Sequence, residues 1–457
     1  MAFPVRRRTA AILLSACLVP ALSLWVVFSA PAAGALETNP APAAAPAAEQ
    51  AGGSAQQEPP AFPTELRHAR GFDVSRRNGV RYVTVHSPWP GAAAGIRYAL
   101  IRRGDPPPPD VHPARVIEVP VRSVVTLSAT YLAELEILGL TERIVGHADL
   151  PRVYSPAIRA LAERGAIREV GDGGAGVNIE RLLDLEPGLV MAYGLGNAYD
   201  VHPKLEELGL KVVINADWLE ATPLGRSEWI KFLALFFGKE REAERAFTRI
   251  ESRYLELAAL ASGAPASGAL ASGAPASGAP AYGAPASGAP ASGAPAYGAL
   301  ASGALARPTV FLDAPFQDTW WTAGGASHMA GLLRDAGADY LWAENDDFSS
   351  LPMNFEAVYE RAAEAEFWLN PGSFESLNGI LAADERFAAF RAFREQRVYN
   401  CIARRTPRGG NDYWESGPAN PQRVLADLVA ILHPGLLPEH RLFYYRRLEP
   451  AYPGAAE

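Results

Sequence analysis

The stretch Val177–Gly194, with the sequence VNIERLLDLEPGLVMAYG, decides the fold that we expect for this chain of 457 residues. It predicts a short helix whose first turn is capped by Asn178, because an asparagine side chain can accept hydrogen bonds from the free amides of that turn. Pro187 and Gly188 then end the helix. The following run, Leu189–Tyr193, is apolar without polar alternation, which is typical of a strand covered on both faces of a parallel sheet.

A second copy of this pattern lies in the other half of the chain. NFEAV at 354–358 repeats the asparagine, the apolar position and the glutamate that open the first copy, and AEFWLNPG at 365–372 repeats the strand that leads to a glycine. Two similar α/β units therefore flank a central connector. Since strand and helix patterns alternate in both, each unit is expected to contain a largely parallel sheet with right-handed crossovers.

The first lobe is expected to open with strands at Val116–Val121 and Val124–Leu127, and the second to contain a helix at Leu381–Glu395. A long amphipathic helix at Lys239–Ala259 dominates the connector. In chain order the predicted segments are a signal peptide at 1–35, a disordered tether at 36–62, a β-rich lead-in at 63–115, an N-terminal α/β lobe at 116–226, connector helices at 227–260, a low-complexity Ala/Ser/Gly/Pro pentad repeat at 261–306 and a C-terminal α/β lobe at 307–450.

The first 35 residues have the three parts of a secretory signal. A basic triplet, Arg6–Arg8, precedes the apolar segment Ala10–Ser29, and Ala33-Gly34-Ala35 fits the small-residue rule for cleavage. The apolar segment is also near the length that spans a membrane, so an uncleaved anchor is one alternative. Leu14-Ser15-Ala16-Cys17 allows lipidation at Cys17 as another. We therefore expect an exported, periplasmic protein.

Composition and motifs argue against several function classes. The net charge of −8 and the lack of a basic run with interleaved aromatics argue against a nucleic-acid partner. The sequence G-D-G-G-A-G at 171–176 matches a dinucleotide motif, but it carries an acid beside the phosphate position and no acid follows the next strand. His147, His202 and His328 are too scattered for a directly bound metal. No nucleophile with its base is apparent, so we predict no catalytic residue and no enzyme.

Aromatic and basic residues in predicted loops are better candidates for a binding site, because loops beyond the carboxyl ends of strands line the ligand crevice of α/β sheets. Arginines there suit an anionic ligand, and aromatic rings provide stacking faces. Packing in a core or at a rim is the alternative for each aromatic residue. The candidates are Tyr199, Trp218, Trp320, Trp321 and, from the loop 404–417, Arg404, Arg405, Asn411, Tyr413 and Trp414.

Taken together, these segments resemble the periplasmic substrate-binding proteins of ABC importers for iron–siderophore complexes, haem and cobalamin. The resemblance covers 116–448 and rests on VPVRSVVTLSATYLAELEILG at 119–139, on VNIERLLDLEPGLV at 177–190, on the connector helix and on NFEAV at 354–358. It implies an α/β fold of two Rossmann-like lobes joined by one long bridging helix, with the ligand in the cleft between them and limited hinge motion. The pentad repeat and the lead-in depart from the family pattern.

The resemblance also implies a function and partners. The protein would bind an iron(III)-siderophore-type chelate, need no cofactor or resident metal of its own, and deliver the chelate to an ABC permease at the inner membrane. Glu180 and Glu356 match the family's permease-docking acids, although stabilisation of a helix terminus explains them equally. Haem or cobalamin is the alternative ligand, and a ligand-free scaffold or signalling module on the same fold is the second alternative.

Overall fold

The computed structural model of the protein describes residues 65–171, 176–263 and 305–450. The predicted signal peptide with Cys17, the predicted tether, all but the ends of the predicted pentad repeat, and the centre of the glycine motif lie outside the described residues.

The strands and helices follow one another as two α/β units behind an antiparallel lead-in. The strands are β1 (Phe72–Arg77), β2 (Val80–Val85), β3 (Ile96–Arg102), β4 (Val116–Val119), β5 (Val124–Thr126), β6 (Ile144–His147), β7 (Arg168–Glu169), β8 (Leu189–Ala192), β9 (Val212–Ile214), β10 (Thr309–Leu312), β11 (Pro315–Phe316), β12 (Thr319–Ala323), β13 (Asp339–Tyr340), β14 (Ser350–Met353), β15 (Phe367–Leu369), β16 (Val398–Asn400) and β17 (Arg446–Arg447). The helices are α1 (Thr130–Ile137), α2 (Pro156–Glu163), α3 (Ile179–Asp184), α4 (His202–Glu207), α5 (Pro223–Ser227), α6 (Ile230–Leu235), α7 (Glu240–Ala261), α8 (His328–Asp335), α9 (Phe355–Ala362), α10 (Leu377–Ala383), α11 (Arg391–Arg394), α12 (Asp412–Ser416) and α13 (Pro421–Leu432). Short 3₁₀ turns occur at Pro113–Arg115, Thr141–Arg143, Leu150–Arg152, Asp217–Leu219 and Glu385–Ala389.

The two lobes contain sheets of matching strand order. The N-terminal sheet has the order β7-β6-β5-β8-β9 with all pairs parallel, and the C-terminal sheet has the order β13-β10-β15-β16-β17, in which only β17 is antiparallel. The inner orders β6-β5-β8-β9 and β13-β10-β15-β16 correspond strand for strand. The small antiparallel sheet β11-β12-β14 is an addition to the second lobe. These topologies confirm the predicted α/β fold.

The repeated sequence pattern forms equivalent structures in the two lobes. Asn178 caps α3 by accepting from the amide of Arg181 at 3.0 Å, and Asn354 caps α9 by accepting from the amide of Ala357 at 2.8 Å. The strands that follow, β8 and β15, lie inside their sheets, and all of their residues are buried. The caps and the buried strands predicted from the two copies are therefore confirmed.

One strand belongs to a different sheet from the one we expected. Val116–Val119 does not open the sheet of the N-terminal lobe but pairs in parallel with β3, and it completes a lead-in sheet of order β1-β2-β3-β4. Without β4 the edge of β3 would leave its amides and carbonyls unpaired. The lead-in sheet shares a hydrophobic core with the N-terminal lobe, and the hydroxyl of Tyr98 accepts a hydrogen bond from the amide of Ile214 at 2.9 Å.

Helix α7 connects the hydrophobic cores of the two lobes. Its buried face begins in the core of the N-terminal lobe with Ala243 and Phe247 and continues in the core of the C-terminal lobe with Ile250, Tyr254 and Leu257. These five residues are the apolar stripe of the predicted amphipathic helix, which the structure confirms. Because one continuous helix is packed at both ends, it restricts rotation of one lobe against the other more than an irregular linker would.

The single helix predicted at Leu381–Glu395 is wrong. Asp384 adopts an extended backbone conformation, and its carboxylate accepts from the amide of Arg386 at 2.9 Å, which starts a 3₁₀ turn in place of further helix. Phe390 is extended as well and precedes α11. The helical periodicity gave no sign of these breaks, because they depend on local side-chain to backbone hydrogen bonds.

Candidate ligand-binding site

Five polar side chains from both lobes belong to elements that meet where the strands of the N-terminal sheet end. We call Glu134, Asn215, Trp218, Arg226 and His328 the inter-lobe cluster. Glu134 is on α1, which follows β5; Asn215 and Trp218 follow β9; Arg226 is on α5; and His328 begins α8 of the C-terminal lobe. Helix α5 contacts α8, and the Arg226 charge acts on the pKa of both Glu134 and His328. Parallel strands bring such residues to one edge of the sheet.

Four atoms of the inter-lobe cluster are buried and find no hydrogen-bond partner among the described residues. They are Oε2 of Glu134, Nδ2 of Asn215, Nε1 of Trp218 and Nε2 of His328. A buried polar group without a partner costs roughly 1–3 kcal/mol, so several together in one place call for a bound ligand or ordered water. Hydrogen-bonding groups converging from both lobes form the strongest candidate binding site in the described part of the chain.

The inter-lobe cluster contains one cation, and that cation is already paired. Nε of Arg226 lies 2.9 Å from Oδ2 of Asp217, which is itself buried. Burial and the nearby Asp217 charge raise the pKa of Glu134 well above its ordinary value, against the opposing effect of Arg226. Burial, together with the Arg226 charge, lowers the pKa of His328 to about 3, so its imidazole is neutral at physiological pH. The cluster therefore has no uncompensated positive charge.

Two tyrosines hold the surroundings of the inter-lobe cluster in place. The hydroxyl of Tyr131 on α1 lies 3.2 Å from the carbonyl oxygens of both Ala192 and Asn215, so it joins the ends of β8 and β9. Tyr413 on α12 is buried, and its hydroxyl lies 3.7 Å from Sδ of Met329, the neighbour of His328. Since α12 packs against α1, Tyr413 brings the C-terminal lobe to the cluster.

A carboxylate of the C-terminal lobe binds the backbone of the N-terminal lobe beside the cluster. Glu415 on α12 accepts hydrogen bonds from the amides of Tyr154 at 2.6 Å and Ser155 at 2.8 Å. Burial raises the pKa of Glu415 from 4.5 to about 7, although the two amide hydrogen bonds oppose this rise. A side chain at Gly410 would meet the carbonyl oxygen of Arg152 at 2.3 Å, so the lobes also touch there through bare backbone.

The two loop arginines predicted to bind an anionic ligand are engaged with carboxylates of their own lobe. The Arg404 guanidinium pairs with Asp412 and stacks over the rings of Tyr154 and Phe443 at 4.8 Å and 4.2 Å. Arg405 pairs with Glu375 at 2.7 Å. Both arginines therefore attach the loop to its surroundings, and their role in ligand binding stays a prediction.

The other predicted ligand residues lie in different environments. Trp320 has no exposed surface, and its Nε1 donates to the carbonyl oxygen of Leu312 at 2.9 Å, so the core-packing alternative applies to it. Tyr199 and Trp414 are 75% and 59% exposed and can only form a rim. Trp321, on β12, is half-buried.

Two predicted residues do adjoin the cluster or its supports. Trp218 belongs to the inter-lobe cluster, and Tyr413 lies beside it. Asn411 caps α12 by accepting from the amide of Tyr413 at 3.0 Å, and its Nδ2 donates to the carbonyl oxygen of Cys401 at 3.0 Å. It therefore orients α12, while a direct contact with a ligand remains a prediction.

Sequence reasoning missed Glu134, Asn215 and Arg226, and it judged His328 only as a metal ligand. One signal was available: Glu134 stands among the buried residues of LAEL at 132–135, where an acid on the apolar face of a helix is unusual. Asn215 follows a strand, Arg226 lies inside the short helix α5 and His328 begins α8, and no pattern in the sequence marks them.

The predicted permease-docking acids occupy equivalent positions. Glu180 and Glu356 are exposed and lie in the first turns of α3 and α9. These helices run back towards the start of β8 and β15, so their first turns lie at the edge where the strands end. Glu356 pairs with Arg386 at 3.2 Å.

Comparison with known proteins agrees with this architecture. Residues 124–289 match the family model described as periplasmic binding protein. These residues are therefore similar to periplasmic binding proteins. An uncharacterised lipoprotein of Methanocaldococcus jannaschii is 25% identical over 355 residues, which are 75% of this chain and 73% of that protein.

Solved periplasmic binding proteins also align with most of the chain. One from Veillonella parvula is 12% identical, with a TM-score of 0.49 and coverage of 80% of this chain and 98% of that one. The protein of an ABC-type Fe3+-hydroxamate transport system from Saccharomonospora viridis is 15% identical, with a TM-score of 0.47 and coverage of 69% and 94%. Within the described residues, no helix has the length and apolar character to cross a bilayer.

Proposed function

We propose that this protein is the solute-binding component of an ABC importer, and that it captures an iron(III) chelate between its lobes and delivers it to the membrane permease. The observation that carries the proposal is the inter-lobe cluster, in which buried hydrogen-bonding groups from both lobes have no partner among the described residues. A ligand that binds to both lobes at once stabilises the closed conformation, in which the lobes contact each other. A permease can recognise that closed conformation.

The mechanical design suits such a role. Helix α7 is packed into both cores, so the movement that opens the cleft is small. The contact of Glu415 with the backbone at 154–155 lies between the lobes and would be released on opening. Binding and release therefore involve a few inter-lobe hydrogen bonds and leave each core intact.

Delivery would use one acid from each lobe. Glu180 and Glu356 are exposed on equivalent helices at the same edge of their sheets, and paired carboxylates suit arginines on a permease surface. Replacing both by alanine should abolish chelate-dependent stimulation of the permease's ATPase in proteoliposomes and leave chelate affinity unchanged. Stimulation equal to that of the unmodified protein would refute the docking role.

The relative named above is a lipoprotein, which supports export with a lipid on Cys17. In cells, Cys17→Ser should release the protein from the membrane fraction. Continued membrane attachment of this variant would refute lipidation at that residue.

The test of ligand capture is tryptophan fluorescence of the purified protein, titrated with a ferric hydroxamate, a ferric catecholate, haem and cobalamin. We expect saturable quenching by one ferric chelate, with a smaller amplitude in Trp218→Phe, because Trp218 belongs to the cluster. Trp342→Phe is the matched control, since that residue lies in the core of the C-terminal lobe. Saturation by haem or cobalamin alone would replace the iron chelate. A folded protein that none of these compounds quenches would refute the proposal.

A further inference from the structure

The charges around the inter-lobe cluster restrict the ligand. Besides the Arg226–Asp217 pair, the cluster contains the Glu134 carboxyl and the neutral imidazole of His328. In the C-terminal lobe, burial raises the pKa of Asp313 to about 7. The Asp313 charge contributes to the raised pKa of Tyr413, so the two side chains interact electrostatically. Carboxyl groups therefore outnumber guanidinium groups in this region.

The two arginines of the loop 404–417 that lie beside the cluster's supports are paired with acids: Arg404 with Asp412 and Arg405 with Glu375. The third arginine of this loop, Arg408, is exposed at the surface. An anion placed at the cluster would lose its hydration and gain no unpaired positive group, which is strongly unfavourable. A neutral ligand avoids this loss, and a cationic group gains a carboxylate partner.

We propose that the inter-lobe cluster selects a chelate that is neutral or positively charged, and that Glu134 is the specificity-determining residue that faces a cationic group of the ligand. This inference rests on the proposed function and names the charge class of its ligand. The geometric basis is the Oε2 atom of Glu134, which is buried and has no hydrogen-bond partner among the described residues, as is also true of the polar atoms of Asn215, Trp218 and His328.

The proton balance of this step is simple. In the empty site, burial and the Asp217 charge raise the pKa of Glu134 and so favour its neutral, protonated form. When a cationic group enters, the carboxyl gives up its proton to solvent and becomes the anionic partner of a charge-assisted hydrogen bond. One proton is released for each cationic ligand bound, and a neutral ligand releases none.

Other ionisable groups on the elements around α1 are already engaged or lie at the surface. Asp217 raises the pKa of Glu134, and Arg226 lowers it. The other ionisable groups on α1 are Tyr131 and Glu136, which accepts from the hydroxyl of Ser155 at 2.7 Å. The neighbouring elements contribute Asp412 with Arg404 and Glu415 with two backbone amides on α12, Lys231 with Glu228 and Glu244 at α6, and the exposed Glu142 and Arg143 after α1.

The experiment compares ferric chelates that differ in charge. Affinities are measured by fluorescence and calorimetry for a neutral ferric tris-hydroxamate, for the same chelate with a protonated pendant amine, and for a triply anionic ferric tris-catecholate. We expect both hydroxamates to bind more tightly than the catecholate. Below the pKa of Glu134, affinity for the cationic chelate should rise about tenfold per pH unit, and affinity for the neutral chelate should not change.

Variants separate the role of Glu134 from simple structural support. Glu134→Gln should remove the pH dependence and at least about tenfold of the preference for the cationic chelate over the neutral one. Glu163→Gln, an exposed acid on α2 of the same lobe, should change neither property. If Glu134→Gln does not fold, calorimetry of the unmodified protein in buffers of different ionisation enthalpy still measures the released proton.

Two results would overturn the inference while the proposed function survives. One is tighter binding of the catecholate than of both hydroxamates. The other is a cationic chelate that binds without proton release and with the same preference in Glu134→Gln. If none of the chelates binds, the proposed function fails, and the inference that rests on it fails as well.

Discussion

The contact of Glu415 with the N-terminal lobe makes stability depend on pH in a direction that the structure determines. Its carboxyl is buried and accepts from the amides of Tyr154 and Ser155, and its pKa rises from 4.5 to about 7. The folded protein therefore binds the proton more tightly than the unfolded chain. The resulting stabilisation is fully present below about pH 4.5 and is lost as the pH rises through 7.

The size of the effect follows from the change in pKa. A difference of one in pKa corresponds to about 1.4 kcal/mol, so the rise from 4.5 to about 7 is worth about 3 kcal/mol over the full range. Most of this change falls between about pH 5 and about pH 8. Glu415→Gln removes the titrating proton and keeps one oxygen that can accept from an amide.

Urea unfolding, followed by circular dichroism at about pH 5 and at about pH 8, measures the effect. Between the acidic and the alkaline condition, the unmodified protein should lose about 2–3 kcal/mol more free energy of unfolding than Glu415→Gln does. Glu439→Gln, an exposed acid of the same lobe, should follow the unmodified protein. Equal pH dependence in Glu415→Gln and the unmodified protein would refute the reasoning, because the carboxyl would then not be the group that titrates.

Five further substitutions test the core, the attachment of the chain at 67–69 and the helix caps. Trp320→Ala should cost about 3–5 kcal/mol of unfolding free energy, because the ring is fully buried. Trp414→Ala should cost less than about 1 kcal/mol, because that side chain is exposed. Equal losses of the two variants in urea unfolding would contradict the placement of Trp320 in the core. Glu228→Ala should cost about 3 kcal/mol of unfolding free energy and expose the chain at 67–69 to proteases. The reason is that the buried Glu228 carboxylate accepts hydrogen bonds from three amides of that segment. Unchanged proteolysis would argue against this attachment. Asn178→Ala and Asn354→Ala should each cost about 1 kcal/mol, and thermal unfolding without a loss in either would contradict the matched caps.

Features encoded within a few residues were predictable from the sequence. The caps at Asn178 and Asn354, the buried strands after them and the apolar face of α7 depend on neighbours in the chain, and the structure confirms each. The position of β4 was not predictable, because an apolar run does not specify which strand edge it will pair with.

The candidate binding site shows the same difference between features that the local sequence predicts and contacts that depend on distant residues. Sequence placed Trp218 and Tyr413 in loops near strand ends, and the structure brings both to the region between the lobes. Arg404 looked equally suited to a ligand, yet it pairs with Asp412 and stacks on a ring from the other lobe. Trp320 comes after a strand, as predicted, but its side chain is buried in the core of the C-terminal lobe.

The sequence by itself thus determined two repeated α/β lobes and the helix between them, since helical and strand periodicities are local properties of the chain. Only the tertiary structure decided which carboxylate neutralises each arginine and which buried polar atoms, such as Oε2 of Glu134, lack a partner. The physical reason is that charge pairing and burial depend on groups far apart in sequence, and a linear pattern contains no distance between them.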